Sequence, residues 1–126
     1  MNDPSPGRCV LVVDDDPDIA QMLRTRLVHE GFEVMLASSG TEAVERMADR
    51  VPDALVIDIN LPGLSGHQVA FTMREMHPAV PIVMITASHD PGAQKTGQFY
   101  ASINAFLRKP FDPGEVAQRL RDLLGP

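Results

Sequence analysis

The sequence predicts an α/β fold: a doubly wound sheet of five parallel strands with five helices, in a single domain. Three observations lead there. Short apolar runs such as Val10–Val13, Ala54–Ile57 and Ile82–Ile85 are continuous rather than alternating, which marks strands buried on both faces of a sheet. Segments with helical apolar stripes and capping signals separate them, as parallel crossovers require. The whole is 126 residues long, enough for one domain with a sizeable core.

Taken in order, residues 1–7 (Met-Asn-Asp-Pro-Ser-Pro-Gly) read as a flexible leader and residues 8–126 as the folded domain. Cys9–Val13 is the first strand and ends in three carboxylates, Asp14, Asp15 and Asp16. Asp16-Pro17 is a helix start, a capping side chain followed by Pro at the first helical position. Ile19, Met22, Leu23 and Leu27 form the stripe of that helix, and Gly31 stops it. A strand from Phe32 to Ala37 precedes Ser39-Gly40-Thr41-Glu42, which has capping-box spacing. The helix beyond carries Ala43, Val44 and Met47 and ends at Val51-Pro52.

The third strand runs into Asp58, and Pro62, Gly63 and Gly66 punctuate the turn after it. Ser65-Gly66-His67-Gln68 repeats the capping-box spacing before a helix lined by Val69, Met73 and Met76. Val80-Pro81 leads into the fourth strand, Ile82–Thr86. From Ser88 to Ser102 a short fourth helix is expected, with a thin stripe weakened by Gly92, Thr96 and Gly97. Ala105-Phe106-Leu107 is the last strand. Asp112-Pro113-Gly114-Glu115 caps a final helix with the stripe Val116, Leu120, Leu123 and Leu124, ended by Gly125-Pro126. The methionines at 22, 35, 47, 73, 76 and 84 are expected on core stripes.

Bulk composition narrows the function classes. The chain is 44% hydrophobic and 22% charged, with a net charge of −6. That balance argues against direct contact with nucleic acid or an anionic membrane surface, both of which need a basic footprint. The apolar runs fall far short of a membrane span, and the start lacks the basic and apolar segments of a signal peptide. A single Cys9 cannot build a disulfide framework, so a reducing cytoplasm is the expected compartment. The histidines at 29, 67, 77 and 89 have no ligand spacing.

In a doubly wound sheet the carboxyl ends of the strands share one edge, where such folds bind ligands. This sequence puts Asp14 and Asp15 after the first strand, Asp58 after the third, Thr86 after the fourth and Lys109 after the fifth. Three carboxylates crowded at one edge repel unless a cation joins them, and oxygen ligands with room for water suit Mg²⁺. A hydroxyl and an ammonium group facing that cation complete an anion site, and the anion indicated is a phosphoryl group. Asp58 would be the nucleophile, forming an aspartyl-phosphate. Asp16 is read as the helix cap before Pro17 rather than as a metal ligand.

Four stretches, VLVVDDDPDI (10–19), ALVIDINLPGLSG (54–66), PIVMITA (81–87) and FLRKPF (106–111), resemble the receiver domain of bacterial two-component response regulators. They occur in that family's order and span the domain. The resemblance implies a flavodoxin-like, CheY-like (βα)5 fold and a phosphorelay switch rather than an enzyme on other substrates. It gives Asp58 as phospho-acceptor, Asp15 as direct ligand to Mg²⁺ (or Mn²⁺), Asp14 as its acidic neighbour acting through water, and the Asn60 backbone carbonyl as the third protein ligand. Lys109 matches the lysine that grips a phosphoryl oxygen, before an X-Pro bond that is cis in the family. Thr86 matches the switch hydroxyl and Phe106 the switch aromatic. The implied partners are a sensor histidine kinase or phosphotransfer protein and a downstream protein reached through the fourth helix, fifth strand and fifth helix. The chain would act as a monomer or weak homodimer, alone or as a receiver cut from a longer protein.

Two features depart from the family pattern: Ala101-Ser102-Ile103 replaces a small Ala-Gly-Ala stretch, and the switch aromatic is Phe rather than Tyr. Asn60 and Ser88 occupy positions that in the family tune how fast the phosphoryl group is lost. An alternative reading is a Mg²⁺ phosphohydrolase that also forms an aspartyl-phosphate. Such enzymes place an acid two residues after the nucleophile, where this chain has Asn60. A third reading, an interaction module that is no longer phosphorylated, finds no support because every site position is filled.

Overall fold

A computed structural model of the protein describes residues 8–61, 63–86 and 103–125. The leader over 1–7 and the fourth helix expected between Ser88 and Ser102 lie outside the described residues. Nine elements are present among the described residues: β1 (Cys9–Val13), α1 (Pro17–His29), β2 (Glu33–Ala37), α2 (Gly40–Asp49), β3 (Ala54–Asp58), α3 (Gly66–Met76), β4 (Ile82–Thr86), β5 (Ala105–Arg108) and a last helix, α4 (Pro113–Leu124). All five strands join one parallel sheet in the order β2-β1-β3-β4-β5. Local periodicity left that order open, because it is a property of long-range pairing.

Strand pleating divides the core into two halves. Leu11, Val13, Leu55, Ile57, Ile82 and Met84 face one side and pack with Ala43, Met47, Val69, Ala70 and Met73 of α2 and α3. Val10, Val12, Val56, Val83 and Ile85 face the other and pack with Leu23, Leu27, Val116, Ala117 and Leu120 of α1 and α4. Every residue of β1, β3 and β4 is buried. The continuous apolar runs are thus explained, since each strand has a helical layer on both sides. Ile103, the bulky residue of the Ala-Ser-Ile stretch, is itself buried in the first half.

Capping follows the sequence with one difference. Asp16 accepts N–H bonds from Asp18 and Ile19 at the start of α1. Reciprocal boxes form at Ser65 with Gln68 and at Asp112 with Glu115. At α2 only half the box exists: Ser39 Oγ accepts from the Glu42 amide at 3.1 Å, while the Glu42 carboxylate reaches Ser38 N at 2.7 Å instead of Ser39. Two stripe residues are also corrected. Met22 and Met76 are 39% and 56% exposed, and Ala20 and Ala70 take the packing places on their helices.

The turn after β3 is tight because Gly66 has no side chain. A Cβ there would lie 2.4 Å from the Asp58 carbonyl oxygen and 2.7 Å from Ile59 Cα, both backbone atoms that cannot rotate aside. Gly66→Ala is therefore expected to cost about 3 kcal/mol by overpacking, read as a lower urea midpoint. An unchanged midpoint would show that the turn relaxes freely.

Candidate functional site

The strand order places the carboxyl ends of β1 and β3 side by side at the centre of the sheet, with β4 and β5 next to them. Asp14 follows β1, Asp58 ends β3, Thr86 ends β4 and Lys109 follows β5. Asp14, Asp58 and Thr86 are the buried polar residues among those described, at 2%, 3% and 7% exposure. Asp15 is exposed at the rim. One carboxylate oxygen from each of Asp14, Asp15 and Asp58 can be chosen so that all lie within 4.8 Å of one another.

Each buried carboxylate is anchored by the amide two residues ahead. Asp16 N–H donates to Asp14 Oδ1 at 2.9 Å, and Asn60 N–H donates to Asp58 Oδ1 at 2.9 Å. These are Asx-type turns, a local geometry Asp favours after a strand. They fix one oxygen of each acid and leave the other turned to the shared space. Sequence reasoning overlooked these two amides, although an Asp at a strand end followed by turn residues is their signal. The backbone adds two further ties: Asp14 N–H to Ala37 O at 3.1 Å and Lys109 N–H to Thr86 O at 2.9 Å.

Lys109 Nζ crosses to Asp58 Oδ2 at 2.8 Å and lies 3.6 Å from Asp14 Oδ2. Its peptide bond to Pro110 is cis. Burial works against the Lys109 charge, but the hydrogen bond it donates to Asp58 and the charges of Asp58 and Asp14 outweigh it and hold its pKa above the usual lysine value. Asp14 is pushed the other way from an ordinary carboxylate. Burial raises its pKa, and the charges of Asp58 and Asp15 add to that, against the lowering effect of the Asp16 amide and Lys109. One ammonium group does not neutralise three carboxylates, and Asp14 Oδ2 is buried with no hydrogen-bond donor among the described residues. An all-oxygen set with an orphaned buried acceptor fits a hard divalent cation.

Asp16, the third acid of the run, spends its side chain on the α1 cap and stands outside this group. Phe106 lies on β5, opposite Met84 of β4, and is 40% exposed. Ser88 lies outside the described residues.

Residues 10–121 match the response regulator receiver domain family, and the chain belongs to it. Among curated relatives, response regulator MprA of Mycobacterium ulcerans is 38% identical over 115 residues, covering 91% of this chain and 49% of that protein. The probable transcriptional regulatory protein TcrX of Mycobacterium tuberculosis is 36% identical, again over 91% of this chain and 49% of its own length. The chain spans about half the length of the curated relatives it matches. A putative response regulator from Chloroflexus aurantiacus has a TM-score of 0.85 at 38% identity, covering 95% of this chain and 98% of that one. Response regulator TrrA of Thermotoga maritima, solved in complex with Mg²⁺–BeF, has a TM-score of 0.82 at 28% identity over 93% and 99%. As a receiver domain the chain is a phosphorylation-activated switch module of two-component signalling.

Proposed function

We propose that Asp58 accepts a phosphoryl group from the phosphohistidine of a sensor histidine kinase or phosphotransfer protein, and that the resulting charge changes what the domain binds. The observation that carries this reading is the meeting of three carboxylates within 4.8 Å, with Lys109 Nζ 2.8 Å from one of them. Asp14, Asp15, Asp58 and the Asn60 carbonyl would hold Mg²⁺ or Mn²⁺, which when bound neutralises charge on the phosphoryl oxygens.

The chain's own residues account for the remaining steps. A carboxylate oxygen of Asp58 attacks phosphorus, the donor's P–N bond breaks, and its electron pair returns to the imidazole. The Asn60 amide keeps the carboxylate oriented, and Lys109 is already at hand for a phosphoryl oxygen. The new dianion then favours a state in which Thr86 and Lys109 turn toward it and Phe106 moves inward. Because Phe106 is half-exposed on β5, such a motion would alter the surface formed by β5 and α4, the part of the output face that is described. Asn60 supports a switch over a phosphohydrolase, because its side chain is exposed and carries no proton-donating acid. No described helix is long and apolar enough to cross a membrane.

Mg²⁺ with beryllofluoride, a stand-in for the aspartyl-phosphate, tests the reading in one NMR experiment. Amide shifts are expected to move at Asp58, Asn60, Thr86, Phe106 and Lys109. A spectrum left unchanged would sink both acceptor and switch.

A further inference from the structure

Gly40 opens α2 and carries no group of its own to recommend it. A Cβ built there would stand 2.3 Å from the Leu64 carbonyl oxygen, 2.6 Å from Leu64 Cβ and 3.0 Å from the Leu64 carbonyl carbon. Non-bonded carbons settle at about 3.5–4.0 Å, so this approach has no room for a methyl group. Two of the three obstructing atoms are backbone and cannot swing away.

Leu64 belongs to the connection that leaves Asp58 and carries Asn60. Its far end is pressed onto the strand it left, where Gly66 N–H donates to Ile59 O at 3.2 Å. The connection is therefore seated on Cβ-free contacts at two places, Gly66 against β3 and Gly40 against α2. Ala43 and Met47 bury α2 in the core, and Ser39 with Ser38 and Glu42 ties its first turn. Leu64 is only partly buried, and Gly63 before it takes a φ of 72°. Under a collision at Gly40 the connection yields before the helix does. The same β2–α2 turn reaches the site by a second route, since Ala37 O holds the Asp14 amide.

We infer that Gly40 is a positioning residue for the Asp58 site: by letting the start of α2 close against the Leu64 backbone, it sets where the Asn60 segment lies relative to the three carboxylates. The inference rests on the cation-binding, phosphoryl-accepting reading of that site. It assigns Gly40 no contact with the cation or the phosphoryl group.

Mn²⁺ titration followed by paramagnetic broadening of amide resonances tests it on four proteins: wild type, Gly40→Ala, Leu64→Gly and Glu45→Gly. The last is an exposed substitution within α2 that weakens the helix by lost propensity alone. Gly40→Ala is expected to lose about ten-fold in Mn²⁺ affinity, the scale of lost support behind a metal ligand. Shifts at Asn60, Leu61 and Gly63 should be displaced before metal is added, while Glu45→Gly lowers the melting temperature and keeps wild-type affinity. A folded Gly40→Ala with wild-type affinity overturns the inference, as does an equal loss in Glu45→Gly. Should Gly40→Ala fail to fold, Leu64→Gly decides by removing the one side-chain atom of the contact, Leu64 Cβ, and loosening the loop backbone that rests on α2; wild-type affinity there is a refutation. Wild type that binds no Mn²⁺ instead overturns the reading of the site itself.

Discussion

Asp58→Asn is expected to reduce acid-labile labelling by acetyl phosphate to background while the domain stays folded. In the wild type an Asp58 oxygen would attack phosphorus and acetate would leave, giving a mixed anhydride. A carboxamide carries no negative charge for that attack, so the reaction loses its nucleophile rather than a fraction of its rate. The fold should survive for reasons visible at the site. Asn matches Asp in size, and its carbonyl oxygen can keep the 2.9 Å bond from the Asn60 amide. Lys109 loses its 2.8 Å partner but retains the Asp14 carboxylate 3.6 Å away, so no isolated buried charge is left behind. The measurements are radiolabel incorporation with Mg²⁺ present and a thermal melt of the same preparation. Label that persisted in a folded Asp58→Asn protein would move the acceptor elsewhere.

How legible was this site? The strand ends could be read because an acid after a fully apolar run has no packing role, and Asp14 and Asp58 both proved buried at such ends. Their meeting could be read because parallel strands put their carboxyl ends on one edge. Met22 and Met76 show where periodicity alone fails. Each is apolar and near a stripe, yet α1 packs through Ala20, Leu23 and Leu27 and α3 through Val69, Ala70 and Met73. A small residue aligned with the buried face outranks a larger one beside it, because the helix settles where its axis comes closest to the sheet. The half-formed box at Ser39 has a similar lesson: Glu42 had two neighbouring amides in reach, and spacing could not choose between them. The contacts of Gly40 and Gly66 are set by chain segments distant in sequence or by backbone proximity. No side chain announced them.

Asp14→Asn is expected to raise the stability of the metal-free domain by about 1 kcal/mol while lowering its Mg²⁺ affinity about 10- to 100-fold, a trade between stability and function. Asp14 Oδ2 is buried without a donor among the described residues, and Asn would place an amide N–H₂ there beside the carboxylates while retaining the oxygen that accepts from Asp16. The pH dependence carries the sign of the effect. Burial, with the charges of Asp58 and Asp15, raises the Asp14 pKa in the folded state above its ordinary value of 3.8. A folded pKa above the unfolded one means that the folded domain holds this proton more tightly. The stabilisation from that proton is complete below 3.8 and is lost as pH rises through the raised value. The advantage of Asp14→Asn over wild type should therefore be absent in strong acid, grow upward from about pH 4, and level off once wild-type Asp14 is ionised. Mg²⁺ should reverse the ranking. A ligand at 100 times its dissociation constant stabilises the native state by about 2.7 kcal/mol, so wild type gains on the order of 10 °C in melting temperature where the variant gains little. Melts of both proteins across pH, with EDTA and with Mg²⁺, separate the two arms. Equal Mg²⁺ stabilisation in the two proteins would show that the buried acid of β1 takes no part in holding the cation, and a variant less stable than wild type in EDTA at neutral pH would show that its charge is already well compensated by Lys109.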